Sequence, residues 1–204
     1  MILLKDLLLE ISSEISSPNL LIPRRTEDRT EKYIQSIIKR YIKDKNVGNF
    51  DISGLGLTTL PASLKQLKIG GRFDCRFNKL TSLVGAPVSV GGDFYCSDNK
   101  LTSLVGAPVS VGGYFYCNNN KLTSLVGVPT SVGGDFFCNN NRLDSLVGAP
   151  TSVGGSFLCH NNKLDSLVGA PTSVGESFFC RDNDVKFTEE QVRAVCDVKG
   201  KINV

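Results

Sequence analysis

The stretch Leu101–Lys121, LTSLVGAPVSVGGYFYCNNNK, returns from Leu122 as LTSLVGVPTSVGGDFFCNNNR, 21 residues further on. A catalytic centre needs different side chains at different places, so near-identical copies argue instead for a surface made by stacking one unit on the next. Alignment on Asn78, Asn99, Asn120, Asn141, Asn162 and Asn183 turns the repeat into columns. Phe73, Phe94, Phe115, Phe136, Phe157 and Phe178 stand five residues before the asparagines, and Cys75, Cys96, Cys117, Cys138, Cys159 and Cys180 stand three before them. Leu80, Leu101, Leu122, Leu143, Leu164 and Val185 follow two after, then Leu83, Leu104, Leu125, Leu146 and Leu167.

On a strand, side chains alternate between faces, so Phe and Cys two apart point the same way, and the columns predict inward ladders. Each copy then reads as one short strand plus a returning loop, about 4.8 Å from its neighbour, giving an array of about seven strands some 30 Å long. The recurring Asn is expected to turn its amide inward to bond backbone groups of the adjoining turn. Six of the seven cysteines fall on the repeat and none forms a CxxC pair, so they read as buried free thiols, with no metal and no cofactor expected. The glycine pairs from Gly91-Gly92 to Gly154-Gly155 lack a following Lys-Ser/Thr and read as tight bends, not a phosphate loop.

The line Phe-x-Cys-x-x-Asn-x-Leu-x-x-Leu resembles the leucine-rich-repeat core, with Phe and Cys where that family usually has Leu. The degenerate copy from Phe50 to Pro61, with Ile52 in the cysteine column, begins the array. Its stretch Ser53–Ile69, SGLGLTTLPASLKQLKI, is similar to the short Leu-Pro class of bacterial effectors. The later Leu-Val-Gly-Ala-Pro copies are similar to uncharacterised repeat proteins of tailed bacteriophages. The resemblance covers about residues 50 to 187 and implies an α/β repeat solenoid that binds a partner: a right-handed, curved leucine-rich-repeat parallel sheet of about seven short strands with an N-terminal helical cap. Many effectors of that class carry a ubiquitin ligase domain with a catalytic cysteine; the 17 residues after Phe187 leave no room for it, so Cys196 is expected to pack in a cap.

Solenoid ends need covering. Tyr33, Ile34, Ile37, Ile38, Tyr41 and Ile42 recur at helical spacing, with Thr26, Glu27 and Asp28 suiting the helix start. A second helix is expected from about Ile2 to Ile15, ended by Ser16-Ser17-Pro18, and a third after an N-cap at Thr188. The expected organisation is a helical N-terminal cap over 1–48, a solenoid over 49–187 and a C-terminal cap over 188–204. Lys5, Asp6 and Glu10 interrupt the apolar start, which predicts neither an export signal nor a membrane span, and a cytoplasmic setting. A net charge of +3 demands no particular partner.

With Phe and Cys inward, the residue between them faces out: Asp74, Tyr95, Tyr116, Phe137, Leu158 and Phe179. Such a run of large apolar groups on the concave face is the expected partner-binding site, flanked by Asp93, Tyr114 and Asp135 on one side and by residues including His160 on the other. Ladder neighbours stacking merely to stabilise the sheet would give the same letters. Lys79, Lys100, Lys121, Arg142 and Lys163 form a basic column that could track phosphates, an alternative nucleic-acid site together with the basic region Arg24 to Lys45. His160 adjoins Cys159, but neighbours on a strand face opposite ways, and no convergent acid, base and nucleophile is visible. The expected function is a non-catalytic protein-binding module that occludes or inhibits a partner, with a phage accessory protein acting on a host defence factor as one setting. Nucleic-acid binding and a self-assembling structural repeat remain open, as does the oligomeric state.

Overall fold

The computed structural model describes residues 23–44 and 48–204, with side chains from residue 29 on. The chain divides into two compact units, Met1–Tyr33 and Ile34–Val204, and the division falls within the helix Pro23–Lys43. That helix starts three residues earlier than Thr26 suggests, on a proline whose fixed φ and missing N–H suit a first turn. The helix expected over 2–15 lies outside the described residues. Among the described residues, no helix is long and apolar enough to cross a membrane.

Within Ile34–Val204, successive coils stack into two parallel ladders of two-residue strands. The first holds eight strands, from Phe50–Asp51 through Phe73–Asp74, Phe94–Tyr95, Phe115–Tyr116, Phe136–Phe137, Phe157–Leu158 and Phe178–Phe179 to Ile202–Asn203. Phe pairs with Phe in register from coil to coil. The second holds seven, Lys68–Ile69, Ser89–Val90, Ser110–Val111, Ser131–Val132, Ser152–Val153, Ser173–Val174 and Asp197–Val198. The fold is thus a parallel repeat solenoid with an N-terminal helix, mostly sheet. The Ser-Val-Gly run, read from sequence as a bend, is a second strand as well, with its valine turned into the core.

The inward columns are as the period implies. Phe73 through Phe178 are fully buried, and their rings lie 5.1–5.7 Å from the next. Beside them the thiols of Cys75, Cys96, Cys117 and Cys138 donate to the carbonyl of the outward residue one coil on, at 3.2–3.3 Å. Each Asn ties two coils. Asn99 Oδ1 accepts from the Leu80 N–H of the coil before, while its Nδ2 donates to the carbonyls of Cys75, Cys96 and Ser97.

The first glycine of each pair is needed for approach: a Cβ on Gly112 would collide with the carbonyl oxygen of Gly91 in the preceding coil. The second is less constrained, and the last copy carries Glu176 there.

Both ends of this unit are built from its own residues. Ile34, Ile38 and Tyr41 are buried, with the Tyr41 ring edge-on to Phe50 at 5.3 Å and its hydroxyl accepting the Gly70 N–H at 3.0 Å. At the other end Thr188 and Gln191 form a reciprocal capping box ahead of the helix Glu189–Val195. Cys196 is buried behind it, its thiol pKa raised to about 11 by that burial. The chain then makes one more coil, placing Val198 in the valine column and Ile202 in the phenylalanine column.

Because each ring is packed between two others, Phe136→Ala removes contacts on both sides and leaves a cavity. The expected loss is about 3–5 kcal/mol of stability, measured as a lower urea midpoint, while Val126→Ala on the surface shifts it far less.

Candidate functional site

The outward residues of the phenylalanine ladder form a continuous aromatic row. Tyr95 and Tyr116 meet edge to face at 4.6 Å, and Tyr116 stacks flat on Phe137 at 4.2 Å with an 8° interplanar angle. Tyr114 adds an edge contact to Tyr116 at 6.1 Å. The in-register ladder imposes this spacing, since residues opposite each other on paired strands must touch. Leu158 and Phe179 carry the row on, half-buried like the rest.

The polar neighbours brace the frame. Asp93 accepts the Tyr95 hydroxyl at 3.0 Å and the Tyr114 N–H at 2.9 Å, and Asp135 accepts the Ser156 N–H at 2.6 Å. Burial among these groups, followed by the nearby Tyr95 and Asp135 charges, pushes the Tyr116 phenol up to about 12. Both phenols are therefore neutral donors, since Tyr95 is raised too, first by burial and then by Asp93.

At its N-terminal end the row departs from the pattern. Asp74 occupies the outward column but is only 2% exposed. Arg76 covers it, with Nη2 donating to Oδ2 at 2.6 Å and Nε to Oδ1 at 3.0 Å. The same guanidinium lies 4.5 Å over the Tyr95 ring and 5.7 Å from Phe77, and Arg72 lies 5.4 Å over Tyr95.

On the far flank Ser97 and Asn139 are buried, and Asn118 and His160 half-buried. Among the described residues, four buried side-chain polar atoms have no hydrogen-bond partner within the chain: Arg72 Nε, Asn118 Oδ1, Asn139 Oδ1 and His160 Nδ1. All four belong to the columns flanking the aromatic row. His160 is held below its ordinary pKa by burial and by Arg181. Cys159 beside it is fully buried on the opposite face, its thiol pushed well up by burial, so the two do not form a reactive pair.

Lys79, Lys100, Lys121, Arg142 and Lys163 are all exposed, and no carboxylate among the described residues pairs with them. Their column is separate from the aromatic row in register, each following the inward Asn. Among the described residues no group of three His, Cys, Asp or Glu side chains could hold a metal ion.

Two surface columns escaped the sequence reading. Val84, Val105, Val126, Val147 and Val168 form an exposed apolar column after the second Leu of each copy. The other is a set of left-handed residues, Gly54, Phe77, Asp98, Asn119, Asn140, Asn161 and Asp182, with φ between +53° and +68°. Asn and Asp tolerate that region, and their side chains form a ladder here, Asn119 donating to Asp98, Asn140 to Asn119 and Asn161 to Asn140 at 2.8–2.9 Å. The signal in the letters is a column of Asn and Asp from Asp98 to Asp182, preceded by Gly54 and Phe77.

No protein-family model matches the chain, and no curated protein is detectably similar to it in sequence.

All seven cysteines are free and buried, and burial shifts every one of the thiols upward. Titration with a thiol reagent near pH 8 is expected to label almost none of them in the folded protein and all seven in denaturant. Rapid labelling of the folded protein would contradict the buried ladder.

Proposed function

We propose that the protein is a non-catalytic binding module, built on leucine-rich-repeat lines, that engages a partner protein through the outward face of its phenylalanine ladder and blocks that partner's own contacts. The observation that carries this reading is the continuous row Tyr95, Tyr116 and Phe137, half-buried aromatic groups held edge to face and stacked on a rigid frame. Aromatic groups of this kind offer much contact area at little entropic cost and dominate binding energy at interfaces. Leu158, Phe179, Tyr114, Asp93 and Asp135 fall within the same face. In the setting of a phage accessory protein, the occluded partner would be a host factor such as a defence component.

A second reading, binding of a nucleic acid along Lys79, Lys100, Lys121, Arg142 and Lys163, draws on their exposure and lack of pairing. Asp93, Asp98 and Asp135 on the neighbouring face oppose a phosphate backbone.

Capture from nuclease-treated bacterial lysate separates these readings. The wild-type protein is expected to retain one stoichiometric protein at moderate salt, and the Tyr95→Ala, Tyr116→Ala, Phe137→Ala triple variant to lose it while keeping its circular dichroism spectrum. Loss instead on charge reversal of Lys100, Lys121 and Arg142, with a steep dependence on salt, would favour the nucleic-acid reading.

A further inference from the structure

The outward face of the phenylalanine ladder carries a charge opposite to that of the whole chain, whose net charge is +3. Over four central coils the outward stretches 93–98, 114–119, 135–140 and 156–161 contain Asp93, Asp98 and Asp135 and neither Lys nor Arg. Their one histidine, His160, is held below its ordinary pKa by burial and by Arg181, which leaves it neutral at pH 7. The basic column Lys100, Lys121 and Arg142 begins only past the inward asparagines. Toward the ends of the face Arg76 is neutralised by Asp74 and Arg181 by Asp182. Lys201 stands three coils beyond Asp135, roughly 14 Å by strand spacing. Arg72 lies over Tyr95 and shares the column of Asp93, so the negative charge without a nearby cation centres on Asp135.

The groups at that point are within a ligand's reach. Asp135 Oδ1 accepts the Ser156 N–H at 2.6 Å, while Oδ2 has no partner among the described residues. The Tyr116 hydroxyl has none either, and neither atom is among the buried ones left unpaired, so both meet solvent. After burial and Tyr95, the charges that act on the Tyr116 phenol are those of Asp135 and Asp93, which ties ring and carboxylates into one site. Tyr116 has Phe137 stacked on it on one side along the array and Tyr95 against it on the other. The row therefore turns ring edges outward, an apolar strip suited to methylene groups, not a seat for a cation over a ring.

One step earlier the chain makes such a contact with its own side chains: Arg76 pairs with Asp74 at 2.6 Å while lying 4.5 Å over the Tyr95 ring. At Asp135 no cation among the described residues plays that part. A long side chain, apolar along its stem and cationic at its tip, is complementary to an apolar strip that ends at a carboxylate.

We propose that Tyr116, Phe137 and Asp135 form a subsite for a Lys or Arg side chain, and that the occupant of the partner-binding face is a basic segment of another protein. The proposal rests on the protein-binding reading and adds the chemistry of the partner. A run of phosphates would meet Asp93, Asp98 and Asp135 and is repelled here.

The probe is a yeast-displayed library of random peptides selected on the full chain. Enriched peptides are synthesised with each basic residue intact or made uncharged, citrulline for Arg and acetyl-lysine for Lys, and their Kd is measured by fluorescence anisotropy. Four proteins are compared: wild type, Asp135→Asn, Asp165→Asn and the Tyr116→Ala, Phe137→Ala pair. Asp165 is exposed and lies outside the outward stretches, so its variant makes the same charge change elsewhere. The expected outcome is enrichment of peptides with Lys or Arg beside an apolar residue. Asp135→Asn should weaken them about tenfold or more and leave the uncharged forms nearly unaffected, while Asp165→Asn changes Kd by less than about twofold. The aromatic pair should weaken charged and uncharged forms alike.

Equal losses in Asp135→Asn for charged and uncharged peptides would show a structural fault in place of a charge contact and overturn the proposal. Equal losses in Asp135→Asn and Asp165→Asn would reduce it to general attraction and overturn it as well. Selected peptides without basic residues overturn it alone if the aromatic pair loses them, and overturn the protein-binding face with it if the pair keeps them. Self-association of the chain abolished by Asp135→Asn would make a second copy the occupant, and tight binding of a dT12 oligonucleotide lost in the aromatic pair would make it a nucleic acid; either overturns the proposal. A selection with no binder also overturns it and leaves the protein-binding reading to the lysate capture.

Discussion

Strands of two residues cannot hold a stack of coils together by ladder bonds alone, and the asparagine that follows each strand supplies what is missing. The turn it occupies buries backbone groups that water cannot reach, and each such group costs free energy if left unpaired. One amide satisfies several at once: in the coil of Asn120, Oδ1 takes the Leu101 N–H, and Nδ2 reaches the carbonyls of Cys96, Cys117 and Asn118. Because its partners lie in two successive coils, the amide sets their register as well as their separation. The first glycine of each pair then has no choice, since at this spacing the carbonyl of one coil fills the place where a Cβ of the next would stand. The phenylalanine rings stack for the same reason.

That spacing also acts outward. Any residue in the column between Phe and Cys is pressed against its counterpart one coil away, so two aromatic residues in succession become a stacked pair without further design. Contact between Tyr95, Tyr116 and Phe137 is therefore partly a product of the frame. What the frame does not dictate is the identity of those residues: nothing in the core requires tyrosine at 116, and Asp74 and Leu158 occupy the same column in other coils. The outward columns differ from copy to copy, while the inward columns repeat.

The period alone exposed the inward columns, because every one of them recurs at the same interval and alternation fixes which face each residue takes. The Ser-Val strand was not legible, since a two-residue strand is too short to show alternation and its flanking glycines suggest a bend. The last coil was hidden for a different reason. The helix Glu189–Val195 lengthens that copy, so Val198 and Ile202 fall out of the 21-residue frame although they join both ladders. Asp74 was placed correctly in the outward column, but its burial depends on Arg76 folding back over it, which no spacing rule encodes. Phe77 could have been noticed as the departure from a column of Gly, Asn and Asp; that the column is left-handed is visible only in the backbone.

Stability in such an array is close to a sum over coils and their nearest-neighbour contacts, so a local cost need not spread. The costs here are not scattered. The strained Phe77 and the unpartnered atoms of Arg72, Asn118, Asn139 and His160 lie on or beside the outward face of the phenylalanine ladder, spread over successive coils. The opposite side of the same strands shows the reverse, with fully buried phenylalanines, thiols donating to carbonyls and amides bonded at both ends. A frame settled so completely on its inner side can carry unfavourable groups on its outer side and still fold.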